Sequence, residues 1–302
     1  MKETMNKSIQ QMLDTLRAKR GFDTESYLNA KVVAINEFFS SESLDSVVIG
    51  LSGGVDSSVA LALFIEAARQ KGSPIRKVVG IAMPIYSRGS TGQAHALTRA
   101  CTMADIYFSE PKFDFKIADL SGTCAAYEAV TREDYDSFAV GQLLSIVRTP
   151  YLYFHAAILQ SKGYRSIVSG TTNRDEGGYI GFYGKASDGM NDIQPIADIH
   201  KSEVYALAKL LGVPESIVNE KPKGDVWDGR TDFDMIGAEY DYIELHTLLK
   251  DYGQDLGVSD PEIVHAFINI ERMHSINAHK YAVGLPCRFV DVMRRKVVGG
   301  WQ

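Results

Sequence analysis

The chain has 302 residues, 45% of them hydrophobic, with a net charge of −6. That content supports a sizeable buried core, arranged as one large α/β domain or two small ones. An acidic balance argues against nucleic acid as the default partner, because that affinity rests on Lys and Arg contacts to phosphate. Cys101, Cys124 and Cys287 are scattered, with no CxxC pair, so neither a zinc site nor a disulfide framework is indicated and a reducing cytoplasm is expected. The N-terminus shows no apolar signal core, and no apolar run reaches the length of a membrane span.

Ile9, Met12, Leu13 and Leu16 recur at helical spacing and predict an opening amphipathic helix. A second helix is expected over Thr24–Phe39, with Tyr27, Val32, Ile35 and Phe38 inward. The apolar run Ser46–Leu51 reads as a buried parallel strand, and Val59–Ala68 as the helix that follows it. Gly72-Ser73-Pro74 breaks that helix, and Lys77–Pro84 is the next strand, stopped by its proline. A helix is expected over Gln93–Met103 and a short third strand at Ile106–Phe108. An apolar helix over Tyr151–Gln160 leads to a fourth strand at Ser166–Gly170. A further amphipathic helix runs from Ile199 to Leu211 and is closed by Gly212-Val213-Pro214. Lys221–Asp234 reads as a long loop, either a lid or a disordered segment. The tail from Asp260 to Gln302 is helical in pattern, broken at Gly284-Leu285-Pro286.

Strands alternating with helices predict an α/β fold with a doubly wound parallel sheet. No linker or internal repeat divides the chain, so one domain is expected. Its parts are N-terminal helices over 1–45, a nucleotide-binding core over 46–257 and a helical tail over 258–302. In such sheets the ligand lies beyond the carboxyl ends of the strands. Ser52–Ser57, Pro84–Thr91 and Thr171–Glu176 all fall on that edge.

The most telling stretch is Gly50-Leu51-Ser52-Gly53-Gly54-Val55-Asp56-Ser57-Ser58. Strand, Gly-rich turn and helix bring backbone N–H groups and a positive helix end around a phosphate. The glycines allow close approach, the serines add hydroxyl donors, and Asp56 stands where a carboxylate could hold Mg²⁺. No Gly-Lys-Ser/Thr follows, so this is not the Walker pattern. Ser-Gly-Gly-x-Asp-Ser instead resembles the pyrophosphate loop of the ATP pyrophosphatases, which split ATP into AMP and pyrophosphate.

The second half carries Gly170-Thr171-Thr172-Asn173-Arg174-Asp175-Glu176, then Gly181-Phe182 through Lys185, Asp188-Gly189, Asp192-Ile193 and Pro195. His200-Lys201 follows, then Lys221-Pro222-Lys223, Gly229-Arg230-Thr231-Asp232 and, near the end, His279-Lys280. This ordered series resembles the NAD synthetase family, from about the second predicted helix to Pro286. The resemblance implies a Rossmann-like fold of the ATP pyrophosphatase type and a carbon–nitrogen ligase. It implies ATP, ammonia and nicotinic acid adenine dinucleotide as substrates, with an acyl-adenylate between them. Asp56 and Glu176 match the family's Mg²⁺ carboxylates. Residues 50–57, Met83, Arg88, Thr171, Lys201 and Lys223 match or neighbour its ATP contacts. Arg148, Lys185, Asp192, His279 and Lys280 match its acid-binding positions, and Asp56, Lys185 and Asp192 are the expected catalytic set. A cytoplasmic homodimer, with no nucleic acid or membrane partner, is also implied. The chain before Ser46 has no room for a glutaminase module, so ammonia is expected free or from a separate glutaminase.

Plainer roles stay open for several of these residues. Asp56 could be a helix N-cap, Glu176 a solvated loop acid, and Lys185 and Lys201 surface lysines. Lys223 stands where the family carries a small hydroxyl residue, and is either a loop lysine or a pyrophosphate contact. Two departures concern the acid substrate. Ile146 replaces the first arginine of an Ala-Arg-x-Arg stretch, of which Arg148 keeps the second. Met83 precedes Pro84 where bacterial members carry arginine, with Arg88 as the candidate to compensate. The alternatives are an adenylating amide ligase of the same fold acting on another carboxylic acid, and a nucleotide-binding relative without catalysis.

Overall fold

The computed structural model describes residues 7–86, 91–222, 230–255, 257 and 260–281. Its centre is a parallel sheet of β1 (Ser46–Gly50), β2 (Lys77–Ala82), β3 (Phe113–Ile117) and β4 (Ser166–Ser169), in the order β3-β2-β1-β4. β1 is flanked on both sides, and its Val47, Val48 and Ile49 are apolar and enclosed, as expected of a strand covered on both faces. Val48 pairs with Val79 and with Val168.

Alternate residues of β1 feed two cores. Val47 and Ile49 face one layer with α2 (Thr24–Ser41), α3 (Val55–Arg69) and α8 (Lys201–Leu210). Val48, with Val79, Ile81 and Val168, faces the other, with α5 (Ser121–Val130), α6 (Ser137–Ile146) and α7 (Arg148–Ser161). The sheet is therefore doubly wound. α3 is apolar on nearly every side because it is wedged between the sheet, α2 and α8. α4 (Thr91–Ile106) packs on β2, and α9 (Glu215–Val218) on α8. A third core joins α1 (Lys7–Arg20) to α10 (Asp232–Ile236), α11 (Tyr240–Asp251) and α12 (Pro261–Asn277). The N-terminal helix thus packs with the C-terminal ones, through Ile9, Leu13 and Leu16.

The third strand is not at Ile106–Phe108. Ile106 ends α4, and Phe108 lies 88% exposed in the following turn. The strand forms at Phe113–Ile117, an edge position with one covered face. Its Phe-Asp-Phe-Lys-Ile pattern alternates and lacks the continuous apolar run of an interior strand. In α2 Phe39 is fully buried, as Tyr27 is, and the Phe38 expected inward is half-buried beside it. The end of the expected 221–234 loop is helical, since Thr231 caps α10 through the Asp234 N–H. Arg88, Lys223 and the tail beyond 281 lie outside the described residues. Among the described residues no helix is long and apolar enough to cross a membrane.

Candidate active site

The loops after β1, β2 and β4 meet where the strand order reverses, the usual ligand position in an open α/β sheet. They enclose a cleft of about 330 Å³. The loop after β1 forms its floor. Gly53 has φ +79°, and a Cβ there would stand 2.3 Å from the Ala96 carbonyl oxygen, so only glycine fits. Gly54 caps α3 without a side-chain acceptor, which leaves the helix end facing the cleft. Ser52 and Ser57 hydroxyls lie 3.1 Å apart across the loop. Arg99 of α4 holds the loop from behind, with Nε donating to the Gly53 carbonyl at 2.9 Å.

Asp56 is in the first turn of α3 and is not its cap. Its Oδ2 lies 2.5 Å from the Lys201 ammonium at the start of α8. Lys201 Nζ also lies 3.2 Å from Glu176 Oε1, in the π-helical segment Arg174–Ile180 that follows β4. The Tyr240 hydroxyl lies 2.8 Å from Glu176 Oε1 and 2.7 Å from Asp232 Oδ2. Two carboxylates from elements distant in sequence therefore converge on one ammonium, with Tyr240 and Asp232 linked to it through Glu176.

Electrostatics follow from this packing. Burial pushes the Glu176 carboxyl up to about 7, and the charges of Asp56 and Asp232 add to the rise against the pull of Lys201. Burial opposes the Lys201 charge, but Asp56 and Glu176 more than offset it and hold its pKa above the ordinary value. Lys201 is a buried, permanently charged group and not a surface lysine.

Thr171 and Met83 line the cleft, as do Gly50, Leu51, Val55 and Ser57. Arg148 lines it too, its guanidinium donating to the Met83 carbonyl and to Gln93 Oε1 at 3.1 Å each. Lys185, Asp192, His279 and Lys280 do not line it. Asp192 accepts the Val168 N–H at 2.7 Å and the Tyr153 hydroxyl at 3.2 Å, which ties its segment to β4. Lys280 donates to the Gly181 and Tyr183 carbonyls at 2.8 and 2.5 Å, while Lys185 and His279 are exposed. Burial, and the nearby Lys185 charge, lower the Lys280 pKa.

Asn173, Asp232 and Tyr240 join the site without having been singled out in the sequence. Asn173 and Asp232 lie inside the series already noted, where their polarity was a usable signal. Tyr240 follows no motif and arrives only through the packing of α11.

A family model, NAD synthase, matches residues 27–283. This chain belongs to the NAD synthase family. The NH(3)-dependent NAD(+) synthetase of Methanocaldococcus jannaschii is 32% identical over 253 residues, spanning 83% of this chain and 88% of that protein. The enzyme of the same description from Thermoplasma acidophilum is 33% identical over 238 residues, spanning 78% and 87%. Among solved structures, the NMN synthetase of Francisella tularensis superposes with a TM-score of 0.70 at 25% identity, covering 89% of this chain and all of that one. The NH3-dependent NAD synthetase of Campylobacter jejuni shares the fold, with a TM-score of 0.63 at 21% identity, covering 88% of this chain and all of that one. The doubly wound sheet is thus that of the NAD synthetases, and the chain is a ligase by family.

Magnesium is the metal that this family resemblance implies. Asp56, Glu176 and Asp232 all act on Lys201, and that excess of negative charge fits a divalent cation. Among the described residues no three His, Cys, Asp or Glu side chains converge on a metal position. Magnesium habitually completes its coordination with phosphate oxygens and water, so two protein carboxylates are compatible with it.

Proposed function

We propose that this chain amidates nicotinic acid adenine dinucleotide with ammonia, splitting ATP into AMP and pyrophosphate to form NAD. The supporting observation is the Lys201 ammonium held between Asp56 of the Gly-rich loop and Glu176 of the loop after β4. Relatives of similar length carry ammonia-dependent NAD synthesis in their names, which supports the reading.

A carboxylate is a poor electrophile, and ammonia cannot expel oxide from it. In this reading one carboxylate oxygen attacks the α-phosphate, and pyrophosphate leaves. The mixed anhydride then accepts ammonia at its carbonyl carbon. AMP departs with the former carboxylate oxygen, and ammonia sheds a proton to leave the amide.

The residues have separate tasks in that scheme. The Gly53-Gly54 turn, the open end of α3 and the Ser52 and Ser57 hydroxyls bind the departing pyrophosphate. Lys201 sets a fixed positive charge against the developing charge on phosphate, where preorganised electrostatics act most strongly. Asp56 and Glu176 would hold Mg²⁺, which when bound neutralises phosphate charge. Arg148, braced by Met83 and Gln93, orients the acid at the cleft wall. Lys185, His279 and Lys280 serve the dinucleotide across a homodimer, one copy completing the site of the next.

A second reading takes the mononucleotide as the acid. The likeness to the Francisella enzyme favours it, as does Ile146 in place of an arginine expected to hold the dinucleotide. One assay separates the two: ATP, Mg²⁺ and ammonium with nicotinic acid adenine dinucleotide or with nicotinic acid mononucleotide, reading pyrophosphate and amide. Turnover of the dinucleotide at the higher kcat/KM supports the main reading. Preference for the mononucleotide replaces it.

A further inference from the structure

We infer that Asn173 is a positioning residue for the ATP cleavage proposed above, because its one amide sets the carboxylates of Asp56 and Glu176 relative to each other. The inference rests on that reading. Asn173 is fully buried and stands at the N-cap of the π-helical segment that carries Glu176. Its Oδ1 accepts the Asp175 and Glu176 N–H groups at 3.0 and 3.1 Å. Its Nδ2 donates to Asp56 Oδ1 at 2.9 Å. The amide orientation follows from these partners. Turned over, it would aim an oxygen at a carboxylate and an NH₂ at two N–H groups.

The two ends of this amide do different work. Capping alone does not select asparagine, since Asp and Ser cap as well and the helix dipole favours Asp. Among the preferred caps only asparagine carries that acceptor and that donor on separate atoms, so one short side chain faces the cap with Oδ1 and Asp56 with Nδ2. Asp56 is thereby held at both oxygens, Oδ1 by Asn173 and Oδ2 by Lys201. Without the amide donor, the carboxylate is free to turn both oxygens toward Lys201. It would then no longer present the orientation that the Glu176 side of the site was built around. An error of about 1 Å in such a placement costs on the order of 10²-fold in rate.

The test uses the full chain as wild type, Asn173→Asp, Asn173→Ser and the double variant Asn173→Asp with Asp56→Asn. Asn173→Asp keeps the cap and puts a carboxylate against Asp56. We expect kcat to fall about 10²-fold, with the KM of the acid substrate changed by less than about threefold. The thermal midpoint without ligands should fall as well, and Asp56→Asn in the same chain should raise it again, since the exchange restores one donor and one acceptor. Asn173→Ser, which also keeps a cap, should lose roughly tenfold in kcat and carries the kinetic arm if Asn173→Asp does not fold. Wild-type kcat in either single variant, or an Asn173→Asp midpoint that Asp56→Asn leaves unmoved, overturns the inference. If the wild type itself shows no acid-dependent release of AMP, the functional reading fails. The midpoint exchange still decides whether Asn173 braces Asp56.

Discussion

His200 and Asp175 form a fully enclosed pair one residue back along the chain from Lys201 and Glu176, with His200 Nδ1 2.6 Å from Asp175 Oδ1. Asp175 Oδ2 also accepts the Lys201 backbone N–H at 2.7 Å. The pair therefore fixes the start of α8 to the loop after β4, and with it the two residues that face the cleft. Around it Arg20 grips Glu203, whose Oε2 accepts the His200 N–H at 2.8 Å, and Lys31 and Tyr27 close on Asp198 at 2.8 and 2.9 Å. His200 Nε2 is buried without a hydrogen-bond partner among the described residues, which suits a neutral imidazole.

This pair makes stability depend on pH in a signed way. Burial pushes Asp175 up from 3.8 to about 7, and it lowers His200 from 6.5 to about 4. A carboxyl with a raised folded pKa loses its stabilising share as pH climbs from the unfolded value to the folded one. A histidine with a lowered folded pKa gains over its own window, so the two oppose each other between about 4 and 6.5. Asp175→Asn removes only the loss. Its unfolding free energy minus that of the wild type should therefore become more positive from about pH 5 to about pH 7.5. Urea titrations at those two pH values check this, and a constant or shrinking difference contradicts it.

Lys201→Met should be costly in two separate measurements. It leaves Asp56 and Glu176 without their shared cation, and removing one partner of a buried ion pair costs about 3–5 kcal/mol of stability. It also removes a positive charge from the phosphate site, so kcat should fall about 10²-fold or more. Chemical unfolding and steady-state rates on the same preparation read the two losses. A variant that keeps wild-type turnover removes Lys201 from the chemistry.

Gly53→Ala should damage the phosphate loop with little effect elsewhere. The left-handed backbone alone costs about 1–2 kcal/mol for an L-residue. The new methyl would also meet the Ala96 carbonyl oxygen at 2.3 Å. ATP binding by calorimetry should weaken by at least about tenfold. Unchanged ATP affinity would show that this turn does not hold the nucleotide.

Asp56→Asn and Glu176→Gln should each lower kcat by about 10²-fold or more while the chain stays folded. Glu176→Gln also relieves the like-charge pressure from Asp56 and Asp232, so its ligand-free stability should hold or rise. Rates near wild type in both variants would rule out a role for these carboxylates at the phosphates.

The Gly-rich loop was legible because strand, turn and helix are contiguous and the special backbone at Gly53 demands glycine. The two interior strands were legible because burial on both faces writes an unbroken apolar run, as in Ser46–Gly50. The edge strand β3 was not, because Phe113–Ile117 alternates, while Ile106–Phe108 mimics a strand although Ile106 ends α4 and Phe108 reaches solvent. Lys201 and Glu176 were identified from their order in the chain, but their contact depends on a 25-residue excursion that no local pattern encodes. Tyr240 and Asp232 enter through the packing of α10 and α11, which is tertiary information. Asp192 shows the reverse case: a carboxylate in a functional-looking series whose oxygens serve the backbone of β4 and Tyr153.

The central claim is that a substrate carboxylate oxygen attacks the α-phosphate of ATP. The most direct measurement uses acid substrate labelled with ¹⁸O in both carboxylate oxygens, with ATP, Mg²⁺ and ammonium, and mass analysis of the products. The account predicts pyrophosphate without label, AMP carrying one ¹⁸O, and an amide that retains the other. ADP with labelled phosphate, or AMP free of label, would contradict it.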